Sequence, residues 1–299
     1  MTFFTVPNLF NHGVDEVEQF YRLLDAVPRT SQVVFDLGQI DFIRPYGLVA
    51  LTTAIRHLAA QTRKPVLLLN LSDQVYLYLH RMDFFQISAN WCKPDKIVAS
   101  GGWSRDPATM NLLEMSPIGS ADDVARVMER TERIFSRWLL IPNLRSLLNV
   151  LSELCANIYQ HSADPTGYAL IQKYNSVKRE RVTVRLAVGD AGRGIRGSLA
   201  ERHPDIGTQP LDYLLAAMNG RTARNSGRGG LGLRLVEQIV GSEGGQLWLR
   251  SETAAILSHG SGTAQGFSNL ANLPGTQIAV EFYAPLPTAI PPQSATGIH

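Results

Sequence analysis

The sequence predicts an α/β (α+β) protein built from two domains. Three observations carry that expectation. Apolar strand runs alternate with helical periodicity over about residues 1–90. A second series of helices and strands runs from about residue 120 to 286. The 299 residues are 44% hydrophobic, enough for two cores at roughly 100–200 residues per domain.

The N-terminal elements follow from pattern. Met1–Asn8 reads as a short strand, with Pro7 near its end. Val14–Val27 places Val14, Val17, Phe20, Leu23, Leu24 and Val27 at helical spacing. Gln32–Leu37 (QVVFDL) reads as a buried strand, and Pro45 announces a helix over Gly47–Gln61. Lys64–Leu71 is a second core strand, and Asp73–Gln86 is a helix capped by Ser72 or Asp73.

This order, with the loop Asp36–Gly47 (DLGQIDFIRPYG), resembles the STAS domain of bacterial anti-sigma-factor antagonists over about residues 1–90. Members of that family carry an Asp-Ser-Ser-Gly turn at the start of the second helix, where serine phosphorylation switches partner binding. The corresponding stretch here is Arg44-Pro45-Tyr46-Gly47. The glycine is kept and both serines are absent, so no serine switch is carried over. The resemblance implies a partner-binding or docking module, with Tyr46 expected as a packed or exposed aromatic.

Residues 91–119 hold Gly101-Gly102, Pro94, Pro107, Pro117 and Gly119 without clear periodicity and read as a connector. A long helix is expected from Ser120, its N-cap, with Asp122 and Asp123 in the first turn. Either a packing layer or a dimerisation element fits it. Pro142 marks a break, and a second helix covers Leu144–Gln160.

Three motifs then follow. Glu153, Asn157 and His161 are spaced by four, so they share one helix face, with Leu151, Leu154 and Ile158 on or near the other. An amide oxygen suits a hard cation that keeps several waters. A carboxylate one turn away can take a proton from an attacking hydroxyl. The second motif, Gly189-Asp190-Ala191-Gly192-Arg193-Gly194-Ile195, closes the alternating strand Arg181–Val188. Its aspartate can accept a hydrogen bond from a base amine, and its glycines let backbone approach a ligand. The third, Gly227-Arg228-Gly229-Gly230-Leu231-Gly232-Leu233, opens the amphipathic helix Leu231–Val240 and aims free N–H groups at an anion.

In this order the motifs resemble the N, G1 and G2 boxes of the GHKL, or Bergerat-fold, ATP-binding domain. That family includes gyrase B, Hsp90, MutL, histidine kinases and anti-sigma-factor serine kinases. The resemblance runs from about Leu144 to Pro285 and ends on Gly275-Thr276-Gln277-Ile278-Ala279-Val280-Glu281-Phe282, like the family's closing Gly-Thr strand. It implies an α/β sandwich, a mixed sheet with helices on one face, and ATP with Mg²⁺ as cofactors. By resemblance Asn157 holds Mg²⁺, Asp190 binds the adenine amino group, and Gly192, Gly194 and Ile195 form the floor under the nucleoside. Arg228, Gly229, Gly230, Leu231, Gly232 and Leu233 cover the phosphates, while His161 and Thr276 complete the cofactor site. Residues 196–226 correspond to the ATP lid, with Leu211–Met218 a short helix and Arg221, Arg224 and Arg228 leading toward the phosphates. No Walker-A pattern occurs, so the site is not a P-loop.

Residues 120–150 contain no histidine that could act as a phosphoacceptor. Glu153 stands where histidine kinases usually carry Asn, and where serine kinases and ATPases carry the base. The resemblance is therefore nearest to the anti-sigma-factor serine kinases, whose usual partners are STAS proteins. The expected function is transfer of the ATP γ-phosphate to a Ser or Thr of a regulatory partner, STAS-type or sigma-factor-like, with Glu153 as catalytic base. Two alternatives stand beside it: an ATP-gated interaction switch without turnover, and a self-dimerising ATPase.

The remaining features bound this reading. Net charge is only +2, from 28 Lys+Arg and 26 Asp+Glu, so no nucleic-acid partner is expected. No apolar run reaches the ~18 residues of a membrane helix. The start lacks a secretory signal, and Cys92 and Cys155 are too few for a disulfide framework, which together predict a cytoplasmic protein. Cys155 is expected to pack beside the site face. The histidines are scattered, His259 included, with no zinc spacing. Residues 254–274 read as a long loop interrupting the last hairpin, and 287–299 as a disordered tail.

Overall fold

The computed structural model describes residues 1–6, 8, 14–98, 111–176, 181–222, 232–260 and 264–285. Four short strands, β1 (Thr2–Thr5), β2 (Val33–Asp36), β3 (Val66–Leu69) and β4 (Cys92–Pro94), form a parallel sheet in sequential order. Parallel neighbours require crossovers. These are α1 (Val14–Leu24), α2 (Pro45–Thr62) and the pair α3 (Asp73–Arg81) and α4 (Phe84–Ile87). The Ser72 hydroxyl caps α3 by accepting the Val75 N–H at 3.2 Å. The single helix expected over 73–86 is divided because Asp83 takes φ 59°, a left-handed conformation that ends the first helix.

The second sheet has seven strands in the order β10-β9-β8-β11-β7-β6-β5. They are β5 (Leu112–Ile118), β6 (Gly167–Ser176), β7 (Arg181–Gly189), β8 (Gln246–Glu252), β9 (Ala254–Ser258), β10 (Ala264–Phe267) and β11 (Leu273–Pro285). Every pair is antiparallel, where a mixed sheet was expected. The reason is that β11 runs back between β7 and β8, which would otherwise be parallel neighbours. The whole chain thus combines one parallel and one antiparallel sheet with helices, an α+β architecture.

Two stretches expected to lack regular structure contribute strands. The connector 91–119 supplies β4 to one sheet and β5 to the edge of the other. The loop expected at 254–274 contains β9 and β10, which extend the seven-stranded sheet. Strand pairing wins in both places because a neighbouring edge satisfies backbone groups that a loop would leave to water. The tail 287–299 lies outside the described residues.

Five helices complete the second unit: α5 (Ala121–Phe135), α6 (Ile141–His161), α7 (Gly194–Leu199), α8 (Pro210–Met218) and α9 (Gly232–Ser242). The Ser120 hydroxyl accepts the Asp123 N–H and caps α5. Pro142 sits in the first turn of α6, where its missing N–H costs no helical bond. The helix therefore begins before Pro142 rather than after it.

Alternation along the strands divides the seven-stranded sheet into two buried faces. Ala169, Ile171, Leu186 and Val188 pack toward the core containing α6 and α9. Tyr168, Leu170 and Ala187 pack with α2 in the other core. Leu48, Val49, Ala50, Leu51, Ala54, Ile55 and Leu58 of α2 are all buried. A helix apolar on so much of its circumference belongs between two layers, here the two sheets.

Polar bonds lock this junction. The Thr53 and Tyr168 hydroxyls are 2.7 Å apart. Trp248 Nε1 donates to the Tyr46 hydroxyl at 2.8 Å, so Tyr46 is a packed aromatic. Buried Arg250 pairs with Glu18 of α1, donates to the Ala271 carbonyl, and lies 4.8 Å from the Tyr21 ring centre. The turn at Arg44–Gly47, where the STAS resemblance puts its switch, is thus engaged inside the chain.

Candidate functional site

One cavity, about 860 Å³ measured out to solvent, opens between α6, α7, α8, α9 and the adjoining sheet face. Glu153, Asn157 and His161 line it from α6, as their four-residue spacing predicts. Leu151, Leu154, Cys155 and Ile158 are buried, so packing orients the helix and its polar stripe. Cys155 is fully buried and its thiol is pushed up to about 12 by burial, which makes it an inert packing residue.

A polar clamp sets α9 against α6. Asn143 Nδ2 and the Ser146 hydroxyl donate to the two oxygens of Glu243, at 2.6 and 2.7 Å. At the other end of α9, a Cβ on Gly232 would overlap the Glu153 carboxylate. The acid therefore rests against the start of a helix, where exposed N–H groups favour negative charge. Gly232 and Leu233 line the cavity. Arg228, Gly229, Gly230 and Leu231 lie outside the described residues, as does Arg224.

The sheet contributes Asp190, just after β7, and Thr276 of β11. Asp190 is only 4% exposed, and burial pushes its carboxyl up to about 7. Its Oδ1 accepts the Gly192 N–H at 2.8 Å, and its backbone N–H donates to the Thr276 carbonyl at 3.0 Å. Among the described residues no other side-chain hydrogen bond engages that carboxylate, so it has capacity for a ligand donor.

Two glycines permit the close approach. A Cβ on Gly192 would overlap the Ser162 carbonyl, and Gly275, at φ 79°, would place one on the Asp190 carbonyl. Gly194 and Ile195 line the cavity, whereas Gly192 acts behind it, as a packing point against the end of α6. Ile195 N–H donates to the Ser251 hydroxyl at 3.0 Å, which fixes α7 on the sheet.

The structure adds residues that motif reading passed over. Ser198, Leu199, Ala217, Thr222, Leu249 and Ile278 also line the cavity, joined by Arg221, which pairs with Asp205 at 3.2 Å. Behind the second motif, Asp164 accepts the Ala191 N–H at 2.8 Å and a two-pronged bond from Arg56 of α2. A sequence signal for this pair existed: Arg56 is the one Lys, Arg, Asp or Glu in the mostly apolar α2.

Residues 143–283 match the family model described as histidine kinase-, DNA gyrase B-, and HSP90-like ATPase. A GHKL ATPase domain is thus found over that segment, and it supports ATP binding and a kinase- or ATPase-like role. A search of curated proteins found no match to the chain. None of the helices among the described residues is long and apolar enough to cross a membrane.

Proposed function

We propose that the chain is a regulatory serine/threonine kinase of the anti-sigma-factor type. It would bind ATP with Mg²⁺ in the cavity and pass the γ-phosphate to a hydroxyl of a partner protein. The observation that carries this reading is the convergence in one cavity of Glu153, Asn157 and His161 from one helix face with Asp190 and Thr276 from the sheet. A division into an N-terminal and a C-terminal unit belongs to the same proposal, with the expected limits 1–90 and 120–286 extended by β4 and β5 of the segment 91–119. So does the STAS-like character of the N-terminal unit, whose all-parallel βα order is compatible with it.

The donor set fits the expected ligand. Asn157 offers a neutral oxygen to Mg²⁺, which needs few protein ligands when phosphates and water supply the rest. Bound Mg²⁺ neutralises charge on the transferring phosphate. Asp190 would offer a buried carboxylate to the adenine amino group, and Gly194 and Ile195 would form the floor of the nucleoside site. His161, Gly232 and Leu233 also line the cavity, and Gly232 brings the positive end of α9 to it. Glu153 takes the proton from the attacking hydroxyl as its oxygen bonds phosphorus and the bond to the ADP oxygen breaks. Phosphoryl transfer depends chiefly on such positioning and charge neutralisation.

The test is label transfer from ATP to purified STAS-type or sigma-factor-like candidates. Transfer that Glu153→Ala abolishes while ATP still binds supports the kinase. Tight binding without transfer rejects it in favour of an ATP-gated switch. Phosphate release rising steeply with protein concentration marks a self-dimerising ATPase. Asn157→Ala should remove the Mg²⁺ dependence of binding.

A further inference from the structure

We propose that Arg56 and Asp164 are positioning residues for the base end of the nucleotide cavity, which makes α2 of the N-terminal unit a working part of that site. This rests on the reading that Asp190 receives the adenine amino group. Arg56 Nη2 donates to Asp164 Oδ1 and Nη1 to Asp164 Oδ2, both at 2.8 Å. Nη1 also donates to the Thr166 carbonyl at 2.8 Å, and the guanidinium lies 4.6 Å from the Trp91 ring centre. Five donors in a rigid plane hold a carboxylate in one orientation, which a flexible ammonium does not.

Asp164 passes that orientation on. Its side chain is 2% exposed. Oδ2 accepts the N–H of Ala191, the residue directly after Asp190, at 2.8 Å, and Oδ1 accepts the Thr166 N–H at 3.1 Å. Two further ties fasten the same loop to the end of α6. Arg193 N–H donates to the Ser162 carbonyl at 2.8 Å, and Arg193 Nε donates to the His161 carbonyl at 2.8 Å. Of these three ties, only the one through Asp164 reaches into the N-terminal unit.

Stability alone is a poor reason for the pair. Removing two charges from water costs about as much as their attraction returns, so an apolar pair of similar volume would hold the layers as well. What an apolar pair cannot do is direct the Ala191 N–H. Burial works against the charge on Asp164, yet the Arg56 guanidinium and the Ala191 N–H outweigh it and hold the carboxyl below its ordinary range. The acceptor of Ala191 is therefore an anion at neutral pH. By reciprocity, nucleotide that engages Asp190 should tighten the docking of α2.

The experiment uses the full chain and three probes with Mg²⁺: ATP, inosine triphosphate, which lacks the base amino group, and tripolyphosphate, which lacks the nucleoside. Wild type should prefer ATP to inosine triphosphate. Arg56→Gln should weaken ATP roughly tenfold, the scale of one misaligned charged hydrogen bond, and leave tripolyphosphate within about twofold. Asp164→Asn should do the same, the double variant should be no worse than either single, and Arg56→Lys should recover part of the loss. If Arg56→Gln does not fold, Arg56→Lys and Asp164→Asn carry the comparison. Equal weakening of all three probes marks a merely structural pair and overturns the proposal, as does an unchanged preference for ATP. A wild type that binds tripolyphosphate but shows no preference for ATP refutes the adenine role of Asp190 and this proposal together. Wild-type binding of neither ATP nor tripolyphosphate rejects the nucleotide site itself.

Discussion

Replacing Asp190 by Asn should stabilise the nucleotide-free protein at alkaline pH while removing ATP binding. Burial, reinforced by the charge of Asp164 and opposed by the Gly192 N–H, lifts this carboxyl from its ordinary 3.8 to about 7. The folded protein holds that proton more tightly than the unfolded chain does. The stability this one group contributes is therefore full below about pH 4, falls as pH rises, and is wholly lost above about pH 7. The difference corresponds to at most ~4 kcal/mol of strain from an ionised Asp190 at alkaline pH. Asparagine keeps the oxygen that accepts the Gly192 N–H and carries no charge. Allowing for weaker hydrogen bonds to a neutral acceptor, the net gain should be roughly 1–3 kcal/mol. At about 2–4 °C per kcal/mol, that raises Tm by several degrees. Thermal melts of both proteins at roughly pH 5 and pH 8.5 isolate this group, because other titrations cancel between them. A Tm gain at pH 8.5 that shrinks at pH 5, with ATP binding lost, is expected. An equal difference at both pH values, or a less stable variant at pH 8.5, refutes the reasoning.

The same carboxylate should make wild-type ATP affinity rise as pH increases through about 7, since the ionised form is the better acceptor; titration calorimetry showing no such rise would count against Asp190 as the base ligand. Gly192→Ala forces a Cβ onto the Ser162 carbonyl, so it should lower both Tm and ATP affinity, whereas Gly244→Ala, with open space around its Cβ site but a φ of 65° that strains alanine, should lower Tm alone. Glu18→Gln leaves Arg250 buried with a weakened partner and should cost about 3 kcal/mol in denaturant unfolding, the range seen when one half of a buried pair is removed. Both thiols are buried and pushed up to about 12, so alkylation near neutral pH should label neither Cys92 nor Cys155 until the protein unfolds.

How far the sequence could be read depends on the range of each signal. Spacing along one helix is local, and Glu153, Asn157 and His161 do share one cavity wall, as their four-residue interval implies. The strand Arg181–Gly189 and its terminal Asp190 were equally legible, because alternation and a glycine turn are short-range patterns. The strands β5, β9 and β10 were not, since Gly, Pro and Ser in those stretches mask pairing that depends on a distant edge. Gly192 carried a flexible-turn signal, but its reason is a carbonyl thirty residues away in the chain, at Ser162.

The sequence by itself determined most of the helices, though not the break at Asp83 or the short helix α7, and with them the order of the three motifs and the chemistry each can offer. It did so because periodicity, capping and glycine act within a few residues. Only the tertiary structure decided that α2 lies between the sheets, that Tyr46 closes on Trp248, and that Arg56 reaches Asp164 behind the site. Those contacts join residues more than a hundred positions apart, where no local pattern records which faces meet and only the packing of two apolar layers brings the polar partners into range.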